Sequence, residues 1–249
     1  MVLLNIELPE GSQVVGDLHL DVDGGKDAPD LVQFARFLKG SDAPVLVILG
    51  DLFEYWLGPS HTSTPGGRTV CQQLAAFPGR VVLIPGNRDV LAGSELEAFG
   101  IQLAPDGVLG SLPGGTKMLL LHGDELCIRD VNYQRLRRFL RSPLVRGTLR
   151  HLPAFATRAI ARLLRKHSEK ATPKKAPLEV TQDADEARRR LTAAGAGVLV
   201  AGHAHRFRDE ALGDASRLLI LDAFGGERDV LRVGEQAGLS FASSAEAAL

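Results

Sequence analysis

Residues Val45–Glu54 read VLVILGDLFE. Five aliphatic residues, Val45 to Leu49, stop at a glycine and an aspartate. A run that short, bounded by Gly, reads as a strand buried on both faces, with its polar punctuation at the carboxyl end. The same grammar recurs five more times along the chain. Gln13–Val15 runs into GDLHL, Val81–Ile84 into PGNRD and Met118–Leu121 into HGDEL. Val198–Ala201 runs into GHAH and Leu218–Leu221 into DAFGG. Helix-like patterns fall between them at Asp30–Lys39, Arg68–Phe77 and Asp183–Ala194. Strands alternating with helices imply an α/β layered fold, helices packed on the sheets. In such sheets ligands gather beyond the carboxyl ends of the strands, which is where the polar clusters stand.

The stretch Asp130–Lys175 breaks the alternation. Its pattern predicts helices at about Asp130–Arg141 and Pro153–His167, with Pro143 between them and a Pro/Lys-rich return, ATPKKAP. Apolar residues recur there at helical spacing (Leu136, Phe139, Leu140, then Phe155, Ala159, Leu163). The expected organisation is one domain over residues 1–249 with a helical cap inserted at about 130–175. From Arg129 to Lys175, fourteen Lys/Arg against two acids make that stretch strongly basic in a chain of net charge −1. Such a face attracts phosphates or anionic lipid. Nucleic acid is not an expected partner, because aromatic residues are only 5% and the basic stretch holds just Tyr133, Phe139 and Phe155 for stacking.

Length and composition suit a globular core. The two cysteines, Cys71 and Cys127, form no short-spaced pair, so a disulfide framework or structural zinc is not expected and a reducing cytoplasm is. MVLLNIELPEGSQ carries neither a positive leader nor a long apolar run, so neither a signal peptide nor a membrane span is expected.

Seven residues at these strand ends have the chemistry of metal ligands: Asp17, His19, Asp51, Asn87, His122, His203 and His205. One such residue alone means little; a set placed at successive strand ends marks a metal site. Two divalent ions need a bridging carboxylate, and Asp51 can offer one oxygen to each. The expected division is Asp17, His19, Asp51 and His205 around one ion, and Asp51, Asn87, His122 and His203 around the other. Carboxylate, amide and imidazole without thiolate suit Mn²⁺, Fe²⁺ or Zn²⁺, and Mn²⁺ is the expected ion.

DLH, GDLFE, GNRD, HGD and GHAH, in that order, resemble the calcineurin-like metallophosphoesterases over nearly the whole chain. That resemblance implies a β-sandwich flanked by helices and a hydrolase whose catalytic residues are Asp51, Asn87, Arg88 and His122. Arg88 stands where most of the superfamily has His. With GDLFEYW and HGDELCIRDVNYQRLR, it resembles one branch, the UDP-2,3-diacylglucosamine hydrolases of lipid A biosynthesis. The branch implies cleavage of a pyrophosphate to UMP and 2,3-diacylglucosamine 1-phosphate. A leaving phosphate gains little from a general acid, whereas a guanidinium can clamp its charge.

Carried over position by position, the resemblance implies substrate contacts from Asn87, Arg88, Asp130, Ser168, Thr172, Lys175 and His203. It also implies an acylated UDP-sugar as partner, and an enzyme resting peripherally, through the basic cap, on the cytoplasmic face of the inner membrane. GHAHRF and LDAFGG depart from the common GHTHRP and Asp-Trp patterns. Another nucleotide-linked or phospholipid substrate is therefore a second reading, and a non-catalytic membrane-binding module a third.

Overall fold

All six apolar runs form strands, and six further segments join them among the described residues. The computed structural model describes residues 2–150, 152, 156, 159–160, 181–213 and 215–245. One sheet contains β1 (Leu4–Glu7), β6 (Val108–Ser111), β7 (Lys117–Leu121), β8 (Val198–Ala201), β9 (Arg208–Gly213) and β10 (Ser216–Ile220). Its order is β1-β6-β7-β8-β10-β9, parallel except at the β6–β7 and β10–β9 pairs. The other contains β2 (Gln13–Val15), β3 (Val45–Ile48), β4 (Arg80–Leu83), β5 (Ile101–Leu103), β11 (Val230–Val233) and β12 (Leu239–Ala242). Its order is β12-β11-β2-β3-β4-β5; β2 to β5 run parallel, with Val47 beside Val14 on one side and Val82 on the other.

Side chains alternate across each strand, so an unbroken aliphatic run must have two buried faces. Val45, Val47 and Leu49 point into the layer between the sheets, meeting Val108, Met118, Leu120, Val200 and Leu219. Leu46 and Ile48 point the other way, under helices α1 (Pro29–Gly40) and α2 (Pro65–Ala75), against Phe34, Phe37, Val70 and Leu74. On the far side of the first sheet, Leu119, Leu121, Leu199 and Ile220 are covered by Ala187 and Leu191 of a later helix, Ala184–Ala194. The result is four layers, with a helical layer outside each sheet.

A short helix, α3 (Ser94–Glu97), precedes β5. After β7 come α4 (Val131–Leu140) and α5 (Pro143–Arg150); Ala184–Ala194 is then α6. The sequence pattern treats Pro143 as a break. The structure makes it the first residue of α5, where a missing N–H costs nothing because that donor has no partner inside the helix. α4 buries none of its side chains fully. Leu140, Leu149 and Ile160 nevertheless pack on Leu57, Val90 and Leu91, and Arg141 donates from Nη2 to the Pro85 carbonyl at 2.9 Å. The expected helix Pro153–His167 lies almost wholly outside the described residues. Among these residues no helix is long and apolar enough to cross a membrane.

The two-faced core makes a direct expectation about stability. Leu120→Ala, which opens a cavity between the sheets, should cost about 2–5 kcal/mol in chemical denaturation. Lys117→Ala, exposed at the start of the same strand, should stay within about 0.5 kcal/mol.

Candidate metal centre

The loops after β2 and β3 keep pairing beyond the strands themselves. His19 N–H donates to the Asp51 carbonyl at 2.9 Å and Leu20 N–H to the Leu52 carbonyl at 3.0 Å. This holds Asp17, His19 and Asp51 side by side. Asp17 then crosses to the other sheet, where its Oδ2 accepts the His203 N–H at 2.7 Å. A Cβ added to Gly202 would lie 2.6 Å from that oxygen, and one at Gly86 2.3 Å from Asp51 Oδ1. Glycine is needed at both places because a carboxylate occupies the space a side chain would take.

Five of the seven ligand-type residues have left-handed backbone: Asp17 (φ 54°), His19 (51°), Asp51 (49°), His203 (72°) and His205 (55°). Non-glycine residues are strained there, by about 1–3 kcal/mol each in sparsely populated cases. Strain concentrated in this way turns the side chains inward at sharp strand-to-loop bends.

Two groups of possible ligand atoms result, Asp17 with His19 and His205, and Asp17 with Asp51 and His122, each within 4.8 Å. Between them Asp51 presents one oxygen 4.0 Å from His19 Nε2 and the other 3.7 Å from His122 Nε2. Asn87 Oδ1 is 3.1 Å from His122 Nε2, and the His203 ring centre is 5.0 Å from that of His122. Nδ1 of His122 donates to the Leu49 carbonyl at 2.7 Å, so Nε2 is the nitrogen that faces the cluster and would ligate once its proton is displaced. Asp17 Oδ1 and His19 Nδ1 are buried without a hydrogen-bond partner. Orphaned polar atoms are costly unless something else satisfies them, and a divalent cation does so for a carboxylate and imidazole set.

Electrostatics tell the same story. Burial, reinforced by Asp89 and Asp17, pushes the Asp51 carboxyl up to about 7. Burial would lower His122, but Asp51, Asp124, Asp17 and Glu125 outweigh it and raise the imidazole to about 9. Burial holds His19 and His203 down at about 4, so both are neutral and have a free lone pair. A cation entering this cluster would displace the His122 proton and satisfy the crowded carboxylates.

Asp89, the last residue of the quoted GNRD but given no role by the sequence, clasps the site from behind. Its carboxylate accepts the Leu52 N–H at 2.8 Å and the Gly86 N–H at 2.6 Å, tying the Asp51 loop to the Asn87 loop. Arg88 N–H donates to Asp51 Oδ1 at 2.8 Å, and its Nη1 to Glu54 Oε1 at 3.0 Å. The other Glu54 oxygen lies 3.6 Å from His19 Nδ1. Glu54 stands within the quoted GDLFE, yet nothing local marks it as the partner of Arg88, 34 residues away.

Asp130 caps α4, its Oδ1 accepting the Tyr133 N–H at 3.0 Å. Tyr133 donates to Asp124 at 2.6 Å, Arg137 pairs with the same carboxylate at 2.7 Å, and the Tyr133 ring faces His203 at 6.1 Å. Sequence reasoning passed over Asp124, Tyr133 and Arg137 in these roles; their shared carboxylate joins α4 to the loop that carries His122. Ser168, Thr172 and Lys175 lie outside the described residues.

Comparison with known proteins agrees with this geometry. The sequence profile of the calcineurin-like phosphoesterases matches residues 14–207. Among curated proteins, the UDP-2,3-diacylglucosamine hydrolase of Pseudomonas entomophila (strain L48) is 38% identical over 233 residues, 90% of this chain and 95% of its own. Its counterpart in Pseudomonas syringae pv. tomato is 38% identical over 90% of this chain and 92% of its own. That of Pseudomonas fluorescens (strain SBW25) is 36% identical over 90% and 91%. By its profile, and by likeness to these relatives from end to end, the chain belongs to the calcineurin-like phosphoesterase family.

Proposed function

We propose that the chain hydrolyses the pyrophosphate of UDP-2,3-diacylglucosamine, releasing UMP and 2,3-diacylglucosamine 1-phosphate. The observation that carries this reading is the coincidence of likeness to such hydrolases over 90% of the chain with five ligand-type residues drawn together at the strand ends. Asp17, His19, Asp51 and His205 would hold one divalent ion, and Asp51, Asn87, His122 and His203 the other, with Mn²⁺ the ion expected from the donor types. Two such ions acidify a water molecule and offset charge on phosphoryl oxygens.

The chain's own groups do the rest. Asp51, held by the Arg88 amide, would offer one oxygen to each ion. Asn87 and His203 present neutral donors to the substrate phosphate, and Arg88 lends a guanidinium that Glu54 keeps aimed along the site. Asp130, with Ser168, Thr172 and Lys175, completes the substrate contacts of a cap at about 130–175, inserted in a single domain. Val131, Phe139 and Leu144 are exposed on α4 and α5, on helices that also carry Arg135 and Arg138. Apolar side chains interleaved with arginines suit the cytoplasmic surface of an anionic inner membrane, each arginine contributing about 1 kcal/mol there.

Four measurements test these assignments. Asp51→Ala should abolish hydrolysis and lower the metal content found by elemental analysis; a fully loaded, active variant would refute the shared ligand. Arg88→Ala should slow pyrophosphate cleavage by roughly 10²–10³-fold, as for the loss of one charge clamp at the transition state, and slow a simple aryl phosphodiester far less. Equal losses on both would remove the clamp. Finally, the diacylated UDP-sugar should be preferred steeply over UDP-N-acetylglucosamine, because each buried methylene contributes about 0.8 kcal/mol. Phe139→Asp should weaken binding to anionic vesicles in a sedimentation assay, and unchanged binding would take α4 off the membrane.

A further inference from the structure

Helices α4 and α5 contact the loops that carry Asn87 and His122. Among the described residues, none from the cap lines a shallow, open cleft of about 450 Å³ that adjoins the ligand cluster at His205. It is lined by His205, Asp222, Phe224, Glu227 and Arg228, and its size lies within the roughly 300–1,000 Å³ of small-molecule sites. The Arg228 guanidinium lies flat over the Phe207 ring, 3.9 Å from its centre, and the ring is braced edge-on by Phe241 at 4.9 Å. Asp222 fixes both ends of this stack. Its Oδ1 accepts the Phe207 N–H at 2.7 Å and its Oδ2 the Arg228 N–H at 3.1 Å, while the Arg228 Nε stays 4.0 Å from Oδ2. A half-exposed arginine held flat in this way is a prepared planar cation at the lip of the cleft, with little side-chain entropy left to lose on binding.

We propose that this cleft receives the nucleoside end of the substrate, with Arg228 as its specificity-determining residue. The proposal rests on the reading above that a uridine-linked diphosphate is cleaved. A diphosphate held at the ligand cluster has two ends of opposite chemistry, and the molecule has two surfaces that match them. The exposed apolar side chains and arginines of the cap suit acyl chains. The cleft at His205 offers carboxylates and a flat cation, which suit a ribose and a pyrimidine. A uracil ring can stack on a guanidinium plane or accept from its edge. Each Asp222 oxygen has spent one acceptor site on a backbone amide and keeps another for a ribose hydroxyl, and Glu227 is exposed beside it.

Calorimetric titration of the metal-loaded enzyme with UMP, and separately with inorganic phosphate, tests this directly. Wild type should bind UMP at least tenfold more tightly than phosphate. Arg228→Ala should lose about tenfold in UMP affinity and show an about tenfold higher KM for the acylated UDP-sugar, the scale of one cation–π stack, while its phosphate affinity holds. Arg228→Lys keeps the charge but not the plane, and should also lose most of the UMP preference. Equal losses for UMP and phosphate would put Arg228 on the phosphate and overturn the nucleoside assignment. So would a wild type that cleaves the acylated UDP-sugar yet binds UMP no better than phosphate. A wild type that does not cleave that substrate at all overturns the substrate reading itself, and the cleft assignment with it.

Discussion

Asp17 and Asp51 stand almost out of water, within a few ångströms of each other's imidazole partners, and the arrangement is tolerable only if positive charge lies between them. Burial raises Asp51 while Asp51 raises His122, so the groups hold one another in protonation states that a cation would replace. Five left-handed residues aim these side chains, and none of the five is a glycine. Local preference opposes such a backbone. It is held by the rest of the molecule: parallel strands that continue to pair past their ends, glycines that let carboxylates approach the backbone, and Asp89 bonded to two loops at once. Stability is spent here in the ordinary way of functional sites, against a large apolar core that can support it.

The helices after β7 are tied to this centre by charge more than by apolar packing. α4 buries no side chain fully, yet Arg137 and Tyr133 converge on the wholly buried Asp124, two residues after His122. Arg137, His122 and Arg141 hold the Asp124 carboxyl well below the usual carboxylate range in spite of burial, so it remains an anion. A buried pair of this kind adds little net stability, but removing one partner leaves an uncompensated charge. It fixes where α4 sits relative to His203, and so couples the cap surface to the ligand cluster. The same economy appears at Arg88. Glu54 joins the guanidinium to His19, making the group expected to read the second phosphate part of the ligand network.

The sequence by itself determined the central strands and the ligand-type residues. A run such as VLVIL can be satisfied only with both faces buried, and the ligand-type residue at its end follows immediately in the chain. α1, α2 and α6 were legible for a similar reason, since the repeat of apolar residues is local. Tertiary structure decided the rest. β1 (LNIE) and β9 (RDEALG) lie at sheet edges, where polar residues face water and the run no longer reads as buried. Pro143 reads as a break because its effect depends on whether it begins a helix or interrupts one. Asp89, Glu54 and Asp124 stand inside GNRD, GDLFE and HGD, yet no local pattern names their partners, which are 37, 34 and 13 residues away or reached through a backbone amide that every residue possesses. Sequence names the groups that can hold a cation or a phosphate; only the packing of two sheets decides which of them meet.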